Sequence, residues 1–412
     1  MPDEVNPKEL KEKARAAEAK KAAWGADLNL DSYITRAEKL PYVTDPTRLA
    51  TEDKLRMLES GITLDEMANV RSGTFIQRDN SPVHTSAAQE GVEVMATSQA
   101  LEKYDWLQDY LWKAVAVDAD KYTAHVELNN ADGYFVRALP GVKTVFPVQA
   151  CLYLAKDQLI QDVHNIIIAE EGSELHIITG CTTAHRRKQG LHLGVSEFFI
   201  RKGAKVTFTM IHTWTPETGV RPRTGAIIEE GGLFLSNYVI MKPVYSLQMA
   251  PSAKCIGRGA TVRLNSVMVA PPGSTMDIGS KVFLSAPDTR TEIVARAITT
   301  GGDITSRGYI EGNVPGVKGH LECRGLIMKE KGTIYAVPEL KGNVAGVDLS
   351  HEAAVGKIAE EEVEYLKARG LTRDESTAAI IRGFLKVDIE GLPPMLNAEL
   401  NRAIEASEKE AM

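Results

Sequence analysis

The stretch DLSHEAAVGKI, Asp348 to Ile358, separates two kinds of sequence in this chain. Short β-rich runs recur on its N-terminal side, whereas apolar residues take helical spacing on its C-terminal side. His351 and Glu352 lie at the junction, and both residue types bind metals. Cys323 lies about two repeats upstream if each strand repeat is about 14 residues long. We therefore expect Cys323, His351 and Glu352 to meet near one end of a stacked β structure.

The region before this stretch is organised by a glycine-initiated repeat. From Gly259 to Gly332, Gly or Asp precedes a short β-branched run about every 14 to 15 residues. The absence of intervening helical patterns argues against a doubly wound α/β sheet. Single glycines in place of hairpin turns favour a parallel β-helix, with a β-sandwich as the alternative. We predict a mostly β fold with the β-helix over 119–349, strand-like from about Tyr122, and helical regions over 1–118 and 350–412.

Composition and charge limit the classes of function. The chain has 412 residues and a net charge of −7, which argues against nucleic acid as the main ligand. No apolar run approaches the roughly 18 residues that a membrane span needs. The N-terminal sequence MPDEVNPKELKEKARAAEAKKAAWG is charged throughout and has no apolar h-region, so it does not resemble a secretory signal. We expect a cytoplasmic protein that binds neither membranes nor nucleic acid.

The four cysteines, Cys151, Cys181, Cys255 and Cys323, form no C-x-x-C pair. This spacing excludes a zinc ribbon and a thioredoxin-like motif. A small buried side chain is the default interpretation of an isolated cysteine in a reducing compartment. We assign Cys151 and Cys255 to the core on that basis.

Two helical patterns follow Ile358. The first, AEEEVEYLKARG, ends at Gly370, and the second begins at Thr372 with Glu375 three residues later, which is a capping box. A further helix, LPPMLNAELNRAIEASEKEAM, follows a proline stop. A helix pair this short has no core of its own, so one face must pack on the β body or on a partner.

Four segments carry a resemblance to a known family. They are HEAAVGKIAEEEVEYLKARGLTRDESTAAIIRGFLKVDIEGLP (351–393), ADGYFVRALPGVKTVFPV (131–148), IIIAEEGSELHIITGCTTA (166–184) and IHTWTPE (211–217). Together they resemble the SufB/SufD proteins, scaffold subunits of the SUF iron–sulfur cluster assembly machinery. The resemblance implies a right-handed parallel β-helix and a partner, the ABC-type ATPase SufC, bound to the C-terminal helices. The chain has no G-x-x-x-x-G-K-[ST] motif, so a partner would have to supply ATP hydrolysis.

The resemblance also implies roles for particular residues. Cys323, His351 and Glu352 match the residues of the family's cluster-assembly site and would bind iron. Cys181 matches a cysteine that receives sulfur. Trp214 and His212 lie on the implied sulfur route, although the family more often has Gln at the position of His212.

Some residues face away from the implied cluster site or differ from the family pattern. By strand alternation His320 and Glu322 point away from the face of Cys323, which Leu321 shares. Tyr153 and Ala155 replace polar residues of the family near the implied sulfur route. SufB-like residues in a chain of SufD-like length predict a self-pairing member, and therefore a homodimer.

These observations lead to one main hypothesis and several alternatives. The chain would be a scaffold without enzymatic activity that builds a transient iron–sulfur cluster at a dimer interface and passes it to apo-proteins. The first alternative is a SufD-like structural subunit that carries no cluster. His351 and Glu352 would then be a charged pair at a helix N-terminus. A carbohydrate-active β-helix enzyme would need a repeated acidic column, and an oxidoreductase would need a G-x-G-x-x-G motif after a strand; the sequence has neither.

Overall fold

A computed structural model describes residues 6–64, 71–184 and 189–385. Strands dominate this part of the chain, which contains 21 strands and six α-helices. The helices are α1 (Pro7–Ala16), α2 (Thr51–Glu59), α3 (Thr97–Lys103), α4 (Lys121–Leu128), α5 (Glu360–Lys367) and α6 (Arg373–Leu385). Short 3₁₀ helices cover Leu30–Ser32, Pro46–Arg48 and Asp105–Tyr110.

The strands form two sheets. Sheet 1 has the order β2-β1-β5-β7-β9-β12-β15-β17-β19-β21, and its members are β1 (Gly73–Arg78), β2 (Ser81–Ala87), β5 (Val148–Leu154), β7 (Glu174–Thr183), β9 (Lys205–Thr213), β12 (Leu233–Ile240), β15 (Thr261–Ala270), β17 (Arg290–Thr299), β19 (Lys318–Ile327) and β21 (Asp348–Gly356). Sheet 2 contains β3 (Val92–Ala96), β4 (Tyr134–Ala138), β6 (Ile160–Ala169), β8 (Gly190–Ile200), β10 (Thr218–Val220), β11 (Arg223–Ile228), β13 (Ser246–Met249), β14 (Ser252–Cys255), β16 (Thr275–Leu284), β18 (Asp303–Gly312) and β20 (Thr333–Gly342).

The chain winds between these sheets as a β-solenoid of about eight turns. Neighbouring strands are parallel along both sheets, and the antiparallel pairs are β1 with β2 and β3 with β4. The predicted mostly β fold, a parallel β-helix with helices at both ends, is confirmed. The β-sandwich alternative is wrong because a sandwich would pair its strands mainly antiparallel.

The predicted repeat corresponds to the half-turns of the solenoid. In the C-terminal half, from β14 onward, each corner contains one residue with a positive φ angle, and these residues are Gly259, Gly273, Asp288, Gly301, Gly316, Gly332 and Gly346. Glycine adopts this backbone conformation without a steric penalty, which explains why it begins most runs. Asp288, with φ of 62°, is the exception, and aspartate is among the few other residues that tolerate it.

Side chains on the inner faces of the two sheets fill the interior of the solenoid, which we call the lumen. Its lining is predominantly aliphatic and aromatic, and includes Val163, Phe198, Phe208, Leu264 and Ile293. Outside the lumen, α1 and α4 cover part of sheet 2, and α2 packs near the first turns of sheet 1. The lumen therefore supplies one continuous core along the solenoid.

Three expectations about element boundaries need correction. The segment TAHVEL, predicted to be a strand, belongs to α4, because the Asp120 carboxylate accepts hydrogen bonds from Tyr122 N and Thr123 N and caps that helix. The predicted helical region 1–118 contains β1, β2 and β3. The predicted helical start at residue 350 falls inside β21, which pairs with β19 without a register shift from Asp348 to Gly356.

The C-terminal helices pack on the β body. Ala378 and Ile381 of α6 are buried against Val267, Ile298 and Leu326 on the outer face of sheet 1, and Phe384 packs at the edge of this cluster. The sequence left two possibilities for the apolar face of this helix pair, the β body or a partner, and α6 uses the β body. The last predicted helix, LPPMLNAELNRAIEASEKEAM, lies outside the described residues.

None of the helices in residues 6–64, 71–184 and 189–385 has both the length and the apolar character that a bilayer span needs.

Candidate functional site

The last turn of the solenoid, formed by β20 and β21, is exposed. Leu349 is half-buried against the lumen core, while the other residues of β21 are exposed to solvent. Within the described residues no further strand follows β21 in sheet 1 or β20 in sheet 2. Cys323 lies one strand before this end, on β19.

Cys323 points into the lumen. It is 2% exposed, and its neighbours in register are Ala295 on β17 and Ala353 on β21. The Ser306 hydroxyl donates to Cys323 Sγ across the lumen at 3.9 Å. Burial raises the pKa of the Cys323 thiol, and the Ser306 contact opposes this. The thiol is therefore protonated at neutral pH, and it becomes a thiolate only when a metal or another positive group compensates for its burial.

His351 lies on the same side of sheet 1 as Cys323. It pairs in register with Leu321, which belongs to the lumen core. Leu349 and Val355, which lie two and four residues from His351 along β21, also face inward. A Cβ built at Gly319 on β19 would lie 2.8 Å from Leu349 Cδ2, and one built at Gly325 would lie 3.1 Å from Val355 Cγ2. His351 thus occupies the inner face at the exposed end.

Glu352 lies on the opposite, outer face. It pairs in register with Glu322, and Arg324 Nη2 lies 3.9 Å from its carboxylate. Glu322 itself is paired with Arg296 Nη2 at 3.0 Å and with Arg324 Nε at 2.5 Å. Within the single chain Glu352 therefore belongs to a row of alternating charges and not to the lumen.

The predicted orientation of the residues around Cys323 is confirmed. His320 Nδ1 is hydrogen-bonded to Ser350 Oγ at 2.9 Å on the outer face, and Leu321 shares the lumen with Cys323. The alternative in which His351 and Glu352 sit at a helix N-terminus is wrong, because both are in β21.

A single chain does not assemble the three predicted ligands. Across the described part of the chain, no group of three or more His, Cys, Asp or Glu side chains is placed to hold a metal ion. Cys323 and His351 share a face, and Glu352 does not.

Cys181 lies in the lumen several turns earlier. It is 1% exposed and pairs in register with Leu152 on β5 and His212 on β9. Burial raises the pKa of the Cys181 thiol well above its usual value, with a smaller contribution from Cys151. This thiol is also protonated at neutral pH.

A buried group of polar rings adjoins Cys181. The Trp214 ring lies 5.3 Å from the His212 ring and 5.0 Å from the His192 ring. His212 Nδ1 is hydrogen-bonded to Tyr238 Oη at 2.8 Å, and His192 Nδ1 to Gln161 Oε1 at 2.9 Å. Two atoms in this group, His212 Nε2 and Trp214 Nε1, are buried without a hydrogen-bond partner among the described residues.

The imidazoles in this group are neutral at pH 7. Burial lowers the pKa of His192 to about 3, and burial together with His192 lowers the pKa of His212 well below its usual value. Neutral imidazoles do not attract a thiolate electrostatically, but each can donate or accept a hydrogen bond. The group therefore offers hydrogen-bonding atoms inside the lumen while it remains uncharged.

His192 and Tyr238 were not identified from the sequence. The signal that could have revealed His192 is the glycine two residues later, because a Cβ at Gly194 would lie 2.6 Å from His192 Nε2. When a polar residue in an apolar strand is followed two positions later by Gly, the polar side chain can occupy the space that the missing side chain of the Gly leaves free. Tyr238 lacks such a marker.

A row of lumen residues connects the two cysteine regions. Tyr238, Ser266, Ala295 and Cys323 occupy the same position on the consecutive sheet 1 strands β12, β15, β17 and β19. Three strand spacings separate Tyr238 from Cys323, which is about 14 Å. A cavity of about 20 Å³ adjoins this row and is lined in part by Ser236, Ser266 and Ser280. This volume is sufficient for one water molecule.

The remaining predicted residues lie away from this row. Cys151 is fully buried on the outer face of sheet 1, and Cys255 is fully buried in the lumen, where burial raises its pKa to about 12. Their predicted placement in the core is confirmed. Tyr153 and Ala155 pack outside the lumen in the same cluster as Cys151, so their apolar character does not alter the lumen lining.

These features define a class of protein, a β-solenoid with thiols and imidazoles inside its coil, and comparisons with known proteins identify its family. Residues 152–384 match the family model described as "SUF system FeS cluster assembly, SufBD core domain". The chain belongs to the SufBD family. An iron–sulfur cluster assembly SufBD family protein of Methanothermobacter thermautotrophicus (strain Winter) is 47% identical over 406 residues, covering 96% of this chain and 98% of the relative.

Two further relatives support this assignment. A SufBD family protein of Archaeoglobus fulgidus is 50% identical over 360 residues, covering 87% of this chain and 96% of the relative. The iron–sulfur cluster assembly protein SufB of Bacillus subtilis is 27% identical over 404 residues, covering 92% of this chain and 84% of that protein. The family comprises components of iron–sulfur cluster assembly.

Proposed function

We propose that this chain is a non-enzymatic cytoplasmic scaffold on which a transient iron–sulfur cluster is built and then passed to apo-proteins. The observation that carries the proposal is the position of Cys323. Its thiol faces the lumen one strand from the exposed end, its neighbour on β21 is the small residue Ala353, and His351 lies on the same face. Thiolate and imidazole are ligands that bind iron.

The proposed cluster site lies between two copies of the chain. One chain offers one thiol and one imidazole on the inner face, which are too few ligands for a cluster. Exposed strand edges such as β20 and β21 are covered in most native proteins. Pairing of two chains through these ends would bring Cys323 and His351 of both copies together.

Glu352 has a different role in this proposal. It lies on the outer face, 66% of its side chain is exposed, and its 3.9 Å contact with Arg324 is weak. A carboxylate is a hard ligand that would bind incoming iron before sulfide arrives. Glu352 would therefore assist loading, whereas Cys323 and His351 would hold the cluster.

The test of this function is anaerobic reconstitution of the full chain with iron and sulfide. We expect ultraviolet–visible and Mössbauer spectra of an iron–sulfur cluster, together with a dimer in light scattering. A chain that binds no iron and sulfide under these conditions would favour the alternative, a SufD-like structural subunit. A cluster on a monomer would contradict the shared site.

Sulfur would reach this site through the lumen from Cys181. The polar rings of His212 and Trp214 beside Cys181, and the row of small residues between Tyr238 and Cys323, support this route. The row contains the small residues Ser266 and Ala295, and the cavity of about 20 Å³ lies beside it.

Replacement of Cys181 by serine tests the route. We expect Cys181→Ser to reduce cluster formation at least about tenfold when a persulfide donor supplies sulfur and an added reductant supplies the two electrons that convert each sulfane sulfur to sulfide, because the receiving thiol is lost. Reconstitution with inorganic sulfide should be unchanged, since sulfide can enter at the exposed end. Acid-labile sulfide per chain is the measurement, and Cys151→Ser is the matched control. Equal loss with both sulfur sources would contradict the route.

We further propose that a SufC-like ATPase binds the C-terminal helices. In the sequence, the apolar residues Ile380, Ile381, Phe384 and Leu385 are more than a two-helix unit can bury, which favours a partner, but not all of them are available to it. Ile381 is 1% exposed and packs on sheet 1, so part of this surplus is used by the β body. The surface that remains available includes Tyr365, which is 56% exposed with Arg369 4.3 Å from its ring centre.

Removal of residues 359–412 should abolish co-purification with the ATPase and leave the β body folded. The deletion uncovers Val267, Ile298 and Leu326, so we also expect a lower melting temperature. Circular dichroism checks the fold, and the matched control is Tyr365→Ala in the full chain, which should weaken binding without lowering the melting temperature. Undiminished co-purification of the deleted chain would refute this partner surface. Part of the proposed surface, to about Ile389, extends past the described residues.

A further inference from the structure

The cavity of about 20 Å³ in the lumen is lined from both sheets by side chains that carry hydroxyl groups. Ser236 on β12 and Ser266 on β15 belong to sheet 1, whereas Thr224 on β11 and Ser280 on β16 belong to sheet 2. Each of the four alternates along its strand with residues of the lumen core, so all of them face inward. A close-packed protein interior contains few such voids.

The three serines are open to this cavity. Ser236, Ser266 and Ser280 are half-buried, whereas the inward-facing residues on either side of each along its strand are buried. Their remaining accessible surface therefore faces the cavity. Ser236 lies diagonally across from Ser266, because Ser236 pairs in register with Leu264, two residues before Ser266.

The hydroxyl groups around the cavity have no partners. Within the described residues none of the four forms a hydrogen bond. Thr224 is only 7% exposed, so its hydroxyl is also removed from bulk water. The lumen hydroxyl of Ser196, by contrast, accepts from Asn165 Nδ2 at 3.0 Å. A buried hydroxyl without a partner costs free energy, and a bound molecule that donates and accepts hydrogen bonds removes that cost.

The rest of the lining determines which charge an occupant carries. It includes the apolar side chains of Phe208, Leu264 and Ile278 and the thioethers of Met210 and Met249, and no charged side chain of the described residues lines the cavity. An ion would lose its hydration here without gaining an opposite charge, so the cavity favours a neutral molecule. Thioether and apolar surfaces are polarizable and suit a soft atom such as sulfur.

We propose that this cavity binds one molecule of hydrogen sulfide on its way to Cys323, an inference that rests on the proposed function. The cavity exceeds the volume of about 10–15 Å³ that one water needs, and hydrogen sulfide also has a single heavy atom, which is only slightly larger. Its S–H groups donate to hydroxyl oxygens and its sulfur accepts from a hydroxyl, while the apolar wall supplies dispersion contacts. Ser266 lies two strand spacings, about 10 Å, from Cys323 in the same row.

Long-wavelength anomalous diffraction from crystals of the full chain tests the site. Anaerobic crystals are equilibrated with the same total sulfide at mildly acidic pH, where hydrogen sulfide predominates, and at alkaline pH, where the hydrosulfide anion predominates. We expect a sulfur peak between Ser236, Ser266 and Ser280 at acidic pH, and a peak weaker by at least half at alkaline pH. An undiminished peak at alkaline pH, or bromide bound at the same place, would overturn the proposal, since either result indicates an anion site. Water alone in the cavity at saturating sulfide would overturn it as well.

Variants test the assigned contacts. Ser266→Val and Ser280→Val each remove a hydroxyl and place a methyl group in the cavity, so the sulfur peak should be lost, and the same maps show whether the strands are retained. Thr291→Val is the matched control, because Thr291 carries a buried hydroxyl without a hydrogen-bond partner among the described residues but does not line the cavity. The control should keep the peak. Sulfur retained in both serine variants would refute the site.

The diffraction result separates this proposal from the proposed function. A chain that shows the sulfur peak but forms no cluster on reconstitution would contradict the scaffold function and support the sulfide site. A chain that forms a cluster without the peak would overturn the sulfide site alone.

Discussion

Replacement of Cys323 by serine is expected to abolish incorporation of iron and sulfide while the solenoid stays folded. The thiol is the soft ligand nearest the exposed end, and serine does not provide a thiolate. The change should lower iron and sulfide per chain at least about tenfold after anaerobic reconstitution, which is the scale for damage to a metal site. The fold should persist because serine is of similar size and Ser306 already lies across the lumen from this position.

The neighbouring variants separate the roles of the other two residues. His351→Ala should resemble Cys323→Ser, because its imidazole lies on the same inner face. Glu352→Ala should slow iron loading more than it weakens the finished cluster. Cys255→Ser is the matched control, since Cys255 is a lumen residue remote from the exposed end. Normal reconstitution of both Cys323→Ser and Glu352→Ala would place the cluster elsewhere and favour the structural-subunit alternative.

Of the substitutions considered in this protein, replacement of Glu197 by alanine should cause the largest loss in the free energy of unfolding. Glu197 on β8 is fully buried, and its carboxylate accepts hydrogen bonds from Trp112 N at 2.7 Å, Ala114 N at 2.7 Å and Val115 N at 3.0 Å. His164 Nε2 lies 2.9 Å from the same carboxylate. Each buried donor left without an acceptor costs about 1–3 kcal/mol, so we expect a loss of at least about 3 kcal/mol.

Thermal melting and limited proteolysis measure this effect. Glu197→Gln should fall between the parent and Glu197→Ala, because the amide keeps one acceptor oxygen and places an NH₂ group against donors. Glu230→Ala is the control, because its side chain is 59% exposed in a surface pair with Lys202 and should change stability little. Cleavage should become faster near Trp112 in Glu197→Ala, since that segment loses its attachment to sheet 2. A melting curve indistinguishable from that of the parent would contradict this account.

The solenoid could be predicted because its repeat leaves a mark in the sequence at each corner of its C-terminal half. A residue with positive φ is needed about every 14 residues, and glycine supplies it at Gly259, Gly273 and Gly316. Strand alternation likewise predicted that Leu321, and neither His320 nor Glu322, shares the face of Cys323.

Other features could not be read from local patterns. TAHVEL is too short for its alternation to distinguish a strand from a helix. The N-cap at Asp120 and the burial of this segment against sheet 2 stabilise the helix. β1 joins the solenoid through pairing with β5, far away in sequence. Glu352 lies on the opposite face from Cys323 because β21 continues as a strand to Gly356 and its side chains alternate between the two faces. The helical pattern that follows in the sequence did not indicate that the strand extends so far.

The polar residues inside apolar strands were also missed. Glu197, His192 and Asp162 each interrupt a strand that would otherwise be read as a continuous buried run. Their partners come from distant segments, as Trp112 does for Glu197 and His125 for Asp162. A charged residue in a buried strand therefore predicts a partner but does not identify it.

The two ends of the solenoid differ, and this difference limits how far copies of the chain can associate. At the N-terminal end sheets 1 and 2 terminate in the antiparallel strands β2 and β3, and the segment around Val43 is bonded to β2 through Val43 N and Val83 O. At the other end β20 and β21 follow the parallel repeat, and no strand of the described ranges covers them. Strand addition at one end alone joins two molecules and then stops, because neither partner presents a second growing edge. A solenoid open at both ends could instead template fibres, so the covering of the N-terminal end would leave only the C-terminal end open to strand addition.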